Sequence, residues 1–289
     1  MISEFAPAKI NLTLRVGPIR NDGYHPVDSV VVFADWGDRL SVSSSQGFNL
    51  SINGEGADTL GDEPDNLVLK AARLLHKTAE LPVSTGASIH LDKAIPLGSG
   101  LGGGSADAAA AFRALNRLWA LNWPLDKLAD LGAKIGSDIP ACIWSKPLCM
   151  TGRGELIDLI NPWPELHGVL CLPGISVSTA RVFAAFDQAA PNPLGQTSMA
   201  VIDNHADALP FLTRNHNDLQ PAAIHEAPVI STCMTAMRET EKPMLVRMSC
   251  SGSTVFAIYE NRAASEDAAD LLEKKNPTWK FVPVRFGGH

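Results

Sequence analysis

A chain of 289 residues, 45% hydrophobic and 19% charged, is long enough for a large core or two domains and has the make-up of an ordinary globular protein. Its net charge of -7 argues against a general nucleic-acid-binding surface, and no apolar stretch approaches the ~18 residues that would cross a membrane. No basic start leads into an apolar run, and the five cysteines (Cys142, Cys149, Cys171, Cys233, Cys250) are scattered, with no Cys-x-x-Cys pair. Reduced thiols in a cytoplasmic protein are the expectation.

The first pattern is an alternation over 10–16. It puts Ile10, Leu12, Leu14 and Val16 on one face and Lys9, Asn11, Thr13 and Arg15 on the other, so Lys9 and Asn11 point the same way. Residues 27–34 read as a buried strand, 39–44 and 48–53 as a hairpin around Ser45-Gln46-Gly47, and 87–92 as a further alternating strand. Asp65 is positioned to cap a helix over 66–77. The run Pro96-Leu97-Gly98-Ser99-Gly100-Leu101-Gly102-Gly103-Gly104-Ser105-Ala106 then leads into an alanine-rich helical stretch over 107–114. A second helix over 125–135 stops at Gly136, before the turn Gly136-Ser137-Asp138-Ile139-Pro140. Beyond Gly154, prolines at 162, 164, 173, 191 and 193 interrupt the chain, which predicts a first domain over 1–155 and a second over 156–289. The end reads strand 244–248, turn 249–253, strand 254–259, helix 263–275 and strand 280–285, a β-β-α-β succession suited to half of an α+β sandwich.

The glycine run is the segment with the clearest chemistry. Glycines let the backbone approach an anion closely, and the first N–H groups of the following helix point at the bound charge, so the segment predicts a phosphate cradle. It is not a P-loop, because Gly104 stands where that motif needs lysine. Gly98, Gly100 and Gly103 do satisfy G-x-G-x-x-G, but a helical pattern follows where a dinucleotide fold needs a second strand and an acidic residue about 20 residues on. A flexible linker is disfavoured by the apolar strand before it and the strong helix former after it.

Three segments in order, Pro7-Ala8-Lys9-Ile10-Asn11-Leu12, the glycine run 96–106, and 249–256, resemble the three ordered motifs of the GHMP small-molecule kinases. Asp22-Gly23-Tyr24-His25, Asp65-Asn66-Leu67, Gly102-Gly103-Gly104-Ser105 and Gly136-Ser137-Asp138-Ile139-Pro140 resemble one branch of that superfamily, which works in the non-mevalonate isoprenoid pathway. Asn217-Asp218-Leu219 and 174–179 add to the likeness, which thins over 192–215.

The resemblance implies an α+β, two-domain architecture: an N-terminal domain with the fold of the ribosomal S5 second domain, a C-terminal ferredoxin-like domain, and the active site in the cleft between them. It implies transfer of the γ-phosphoryl group of ATP, carried with Mg2+, to a tertiary hydroxyl of a cytidyl diphosphate derivative of methylerythritol. Asp138 is then the catalytic base and Lys9 the cation beside the attacking oxygen. Residue types agree: the transfer needs in-line reactants, charge stabilisation and a group to position the hydroxyl. By the same resemblance Tyr24 and Phe183 sandwich the cytosine, His25 hydrogen-bonds its polar edge, and Asn11 and Thr179 are further polar contacts. Pro96, Leu97, Gly98, Ser99, Gly100, Leu101, Gly102, Gly103, Gly104, Ser105 and Ala106, with Asn66 and Lys93, form the nucleotide site. Ser105 is a candidate Mg2+ ligand and Asp107 a group behind it.

From the residues alone other readings stay open. Asp138 is also suited to cap the next segment, Asn66 to a helix's first turn, and Phe183 to the core side of a helix over 180–186. Homoserine, mevalonate or a sugar is the alternative acceptor, and a non-catalytic nucleotide-binding regulator the alternative class. No nucleic acid, membrane or obligate protein partner is expected. The third motif departs from the family pattern at Cys250, where glycine is usual. A positive φ there would strain the turn by roughly 1 kcal/mol or more.

Overall fold

The computed structural model describes residues 1–55, 66–194 and 205–287. Asp65, the expected helix cap, lies outside them. The chain divides into two compact units built from separate stretches. One comprises Met1–Lys9, Trp36–Leu97 and Gly102–Ser145, the other Ile10–Asp35, Gly98–Leu101 and Lys146–His289.

The chain opens with β1 (Ile2–Asn11), β2 (Arg15–Val16) and β3 (Val27–Ser45). The alternation over 10–16 is not one continuous strand, and residues 6–14 are all buried. Leu14 interrupts it, forming a parallel bridge to Asn217 with N–H···O bonds of 2.9 Å to His216 and 2.8 Å from Asp218. The two strands expected over 27–34 and 39–44 are one, β3.

In the first unit, β4 (Phe48–Gly54), α1 (Leu67–Thr78), β5 (Gly86–Lys93), α2 (Gly103–Leu118), α3 (Leu125–Gly132) and α4 (Ile139–Trp144) follow. The expected hairpin of 39–44 with 48–53 is corrected: β5 lies between them, antiparallel to β3 and parallel to β4. Ser45-Gln46-Gly47 reverses the chain, but pairing follows burial. Strand β5 carries Ala87, Ile89 and Leu91 on one buried face and takes the inner place, while half-exposed β4 takes the edge. Helix α2 is buried over most of its circumference, with Ala106 and Ala108–Ala111 at 0–1% exposure, and small side chains let it pack closely against α1 and α4.

The second unit adds β6 (Leu148–Gly152), β7 (Leu156–Leu159), β8 (Leu166–Leu172), α5 (Thr179–Gln188), α6 (His205–Arg214), α7 (Gln220–Glu226), α8 (Val229–Arg238), β9 (Leu245–Met248), β10 (Val255–Tyr259), α9 (Arg262–Lys275) and β11 (Lys280–Phe286). The final β-β-α-β reading corresponds to β9, β10, α9 and β11. Strand β8, absent from the sequence reading, completes an antiparallel sheet in the order β11-β8-β10-β9, the ferredoxin-like arrangement. Its core gathers Val169, Val255, Ala257 and Tyr259 from the sheet and Val182, Leu219, Ile230 and Leu272 from helices, together with Leu14 and Val16. Among the described residues no helix is long and apolar enough to cross a membrane.

Candidate active site

The glycine run is divided between the units, residues 98–101 in the second and 102–106 in the first. In the first unit Gly102, at φ 63, is the N-cap of α2, and among the described residues no side chain caps that terminus. The first intrahelical bond joins Ala106 N–H to Gly102 O at 2.8 Å, so the N–H groups of Gly103, Gly104 and Ser105 precede it and face outward. Such an end attracts an anion through both its donors and the helix dipole.

Beside it lies a charged pair. Lys9 is fully buried, and its Nζ stands 3.0 Å from Oδ2 of Asp138. The Lys9 side chain packs against Gly102, whose missing Cβ would meet its Cε at 3.1 Å. The ion pair with Asp138 makes the burial of Lys9 tolerable. Asp138 occupies the N-cap position of α4, but among the described residues its side chain makes no cap bond. Its carboxylate is instead turned to Lys9 and is 27% exposed.

Two nucleotide-site candidates have structural tasks. Asn66 caps α1, its Oδ1 accepting the Val68 N–H at 2.8 Å. Lys93 ends β5 on its inward face, 2% exposed, with Nζ paired to Asp38 and, at 2.8 Å, to Asp107. Asp38 escaped the sequence reading. The signal was Lys93 itself, which shares the parity of Ile89 and Leu91 and so requires buried carboxylates.

In the second unit, residues 98–101 lie against the third motif. Gly100, at φ 77, leaves no space for a side chain, since a Cβ would fall 2.5 Å from Gly252 O and 2.8 Å from Ser249 O. Ser249 donates to Gly100 O at 3.1 Å, and Thr254 N–H to Ser99 O at 2.9 Å. Ser249 also accepts the Asn11 N–H at 3.2 Å, while the Asn11 side chain donates to Ser29 Oγ at 2.8 Å. Thr179 Oγ1 is 2.9 Å from Ser251 Oγ. Asn217 donates to Met248 O and Cys250 O at 2.9 and 2.7 Å and holds the turn in which Cys250 adopts φ 51.

The same unit contains the aromatic candidates. His25 and Phe183 stack at 4.8 Å between ring centroids. His25 Nδ1 donates to Gly17 O at 2.9 Å, and its Nε2 lies 3.5 Å from Asp187 Oδ2. Tyr24 is 49% exposed, with the Arg153 guanidinium 4.8 Å from its ring centroid. Phe183 is half-buried at the edge of the core.

The profiles of the GHMP kinases N terminal domain and GHMP kinases C terminal match residues 66–146 and 202–277. A 4-diphosphocytidyl-2-C-methyl-D-erythritol kinase of Parvibaculum lavamentivorans is 41% identical over 99% of both chains. The chain belongs to the 4-diphosphocytidyl-2-C-methyl-D-erythritol kinases, within the GHMP kinases. A relative of the same name from Rhizobium etli is 42% identical over 97% of this chain and 93% of its own. A crystal structure of a 4-(cytidine 5'-diphospho)-2C-methyl-D-erythritol kinase superposes with a TM-score of 0.80 at 29% identity, covering 99% of this chain and all of its own. The homoserine kinase of Cytophaga hutchinsonii, at 17% identity and a TM-score of 0.73 over 99% of this chain and 94% of its own, shares the fold. In these kinases' terms, the uncapped start of α2 belongs to the N-terminal domain match and the Ser249–Thr254 turn to the C-terminal one.

Proposed function

We propose that the chain phosphorylates the 2-hydroxyl of 4-diphosphocytidyl-2-C-methyl-D-erythritol with ATP, releasing ADP and the 2-phosphate. The observation that carries the reading is the Lys9–Asp138 pair, 3.0 Å apart, packed beside the uncapped N-terminus of α2. The N–H groups of Gly103, Gly104 and Ser105 bind the triphosphate, with residues 96–102 and Asn66 lining the nucleotide's way in. Asp138 takes the proton from the acceptor hydroxyl as its oxygen bonds to the γ-phosphorus. The bond from that phosphorus to the β–γ bridging oxygen breaks, and the electron pair leaves with ADP. The Lys9 ammonium stabilises the charge that develops on the attacking oxygen and holds Asp138 in place.

Mg2+ bound with ATP neutralises phosphate charge during the transfer. Phosphates and water would carry most of that ion's coordination, and Ser105 is the candidate protein ligand. Acceptor choice lies with His25, Phe183, Tyr24, Asn11 and Thr179. Stacking of a flat base on aromatic rings such as Phe183 and Tyr24 is worth ~1 to 3 kcal/mol per base. The two family matches fall on either side of residue 155, while the compact units are interleaved around it.

The test offers Mg-ATP with a panel of acceptors (the cytidyl diphosphate, homoserine, mevalonate, galactose) and measures ADP release. Turnover is expected with the cytidyl acceptor, and Asp138→Asn is expected to lose about a hundredfold or more in kcat while its circular dichroism stays native. Equal use of acceptors without cytidine refutes the substrate, and unchanged kcat in the variant refutes the base.

A further inference from the structure

We propose that Asp38 is a positioning residue for the nucleotide cradle, holding the Lys93 ammonium and the Ile95 side chain beneath the first residue of α2. The proposal rests on the reading of that helix end as the triphosphate site.

Asp38 is fully buried on β3, and both of its carboxylate oxygens are used. Oδ1 accepts the N–H groups of Ala94 and Ile95 at 2.6 and 2.7 Å, fixing the backbone where it leaves β5 for the glycine run. Oδ2 pairs with Lys93 Nζ, which also donates to Asp107 Oδ2 at 2.8 Å. Both groups that Asp38 governs meet at Gly103. A Cβ there would stand 2.9 Å from Ile95 Cγ2 and 3.3 Å from Lys93 Nζ. Lys93 thus lies directly beneath the first residue of the helix, where its pairing with Asp38 and Asp107 fixes how the cradle is packed.

Stability alone is a poor account of the cluster, because buried ions can often be replaced by apolar groups without loss. The Asp107 Oδ1 atom is buried with no hydrogen-bond partner among the described residues, so the cluster is not even fully satisfied. Burial, the largest influence, raises the Asp107 carboxyl well above its ordinary range. Burial alone would lower the Lys93 ammonium, but Asp107 and Asp38 outweigh it and hold the ammonium above its ordinary value. Lys93 is held between Asp107 and Asp38, and Asp38 is the one of the two that also fixes the backbone of Ala94 and Ile95.

The experiment compares the native chain, Asp38→Asn and the double variant Asp38→Asn/Lys93→Met. In Asp38→Asn the amide oxygen still accepts from the Ala94 and Ile95 N–H groups, but its NH2 faces the ammonium and drives it from its seat. The KM for ATP should rise about tenfold while the acceptor KM changes less than about twofold. The double variant removes both ions, so its melting temperature should return towards that of the native chain while its KM for ATP stays raised. Recovery of both together, or equal changes in the two KM values, overturns the proposal. Hydrogen exchange without nucleotide separates this from the kinase reading. Faster exchange over 106–110, the first bonded turn of α2 above the displaced ammonium, in Asp38→Asn, with 125–132 unchanged, supports the anchoring, and no change there overturns it. Native chain that binds no ATP refutes the kinase reading, and the nucleotide role of Asp38 with it.

Discussion

Cys250 and Asp107 each hold a side chain at a cost that can be measured. Cys250 sits at φ 51, a region in which a residue with a Cβ loses ~1 to 2 kcal/mol. Cys250→Gly removes that strain but loosens the unfolded chain, so a net gain of about 1 kcal/mol is expected, read as a higher denaturant midpoint at unchanged slope. For Asp107 the sign follows from linkage. Its carboxyl is raised above the ordinary 3.8 in the folded protein, so the folded state binds more protons than the unfolded one between those two values. That contribution to stability is fully present below 3.8 and is lost as pH rises through the raised value. Asp107→Asn cannot ionise, and should therefore gain melting temperature relative to the native chain as pH increases from 4 towards neutrality. A difference that stays constant with pH contradicts the raised carboxyl.

Among elements, the glycine run is pinned by close backbone approach at Gly100. Gly100 approaches the Ser249 and Gly252 carbonyl oxygens too closely for any Cβ, at a φ that only glycine adopts readily. Gly100→Ala is expected to cost about 2 to 4 kcal/mol, seen as a fall in melting temperature. Gly104 is the contrasting control. A Cβ there meets only Leu67 Cδ1, at 3.5 Å, so Gly104→Ala should melt near the native temperature. Its KM for ATP then tells whether the N-terminal turn of α2 must stay bare. The turn-then-helix form of this element was accessible from sequence because turn chemistry and helix start are local. The pairing of β5 between β3 and β4 was not, since strand order is decided by which faces are buried.

Across the whole molecule, the compact units do not follow chain order. The core of the second unit includes Leu14 and Val16, with Val27 packed against it, alongside residues from 169 onward. A chain starting at residue 156 lacks these three and the strands that carry them. It should show weak near-ultraviolet circular dichroism and no cooperative melt, and a sharp melt would show that its own apolar surface suffices. The net charge of -7 bears on partners instead, and the retained positive charges are spent locally, as in Lys9 and Lys93.

Residue order alone was enough for the chemistry that depends on neighbours in the chain. The glycine run, the helix after it, the Gly-Ser-Asp-Ile-Pro turn and the terminal strands and helix are each set by local backbone preference and periodicity, which short stretches encode. Tertiary structure decided what depends on distant partners. It buried Lys9 against Asp138, turned that aspartate from cap to ion-pair partner, paired His25 with Phe183, and brought Asp38 to Lys93 from 55 residues away. Charges and rings meet there because packing removes water from them, and no local pattern records which distant group will take its place.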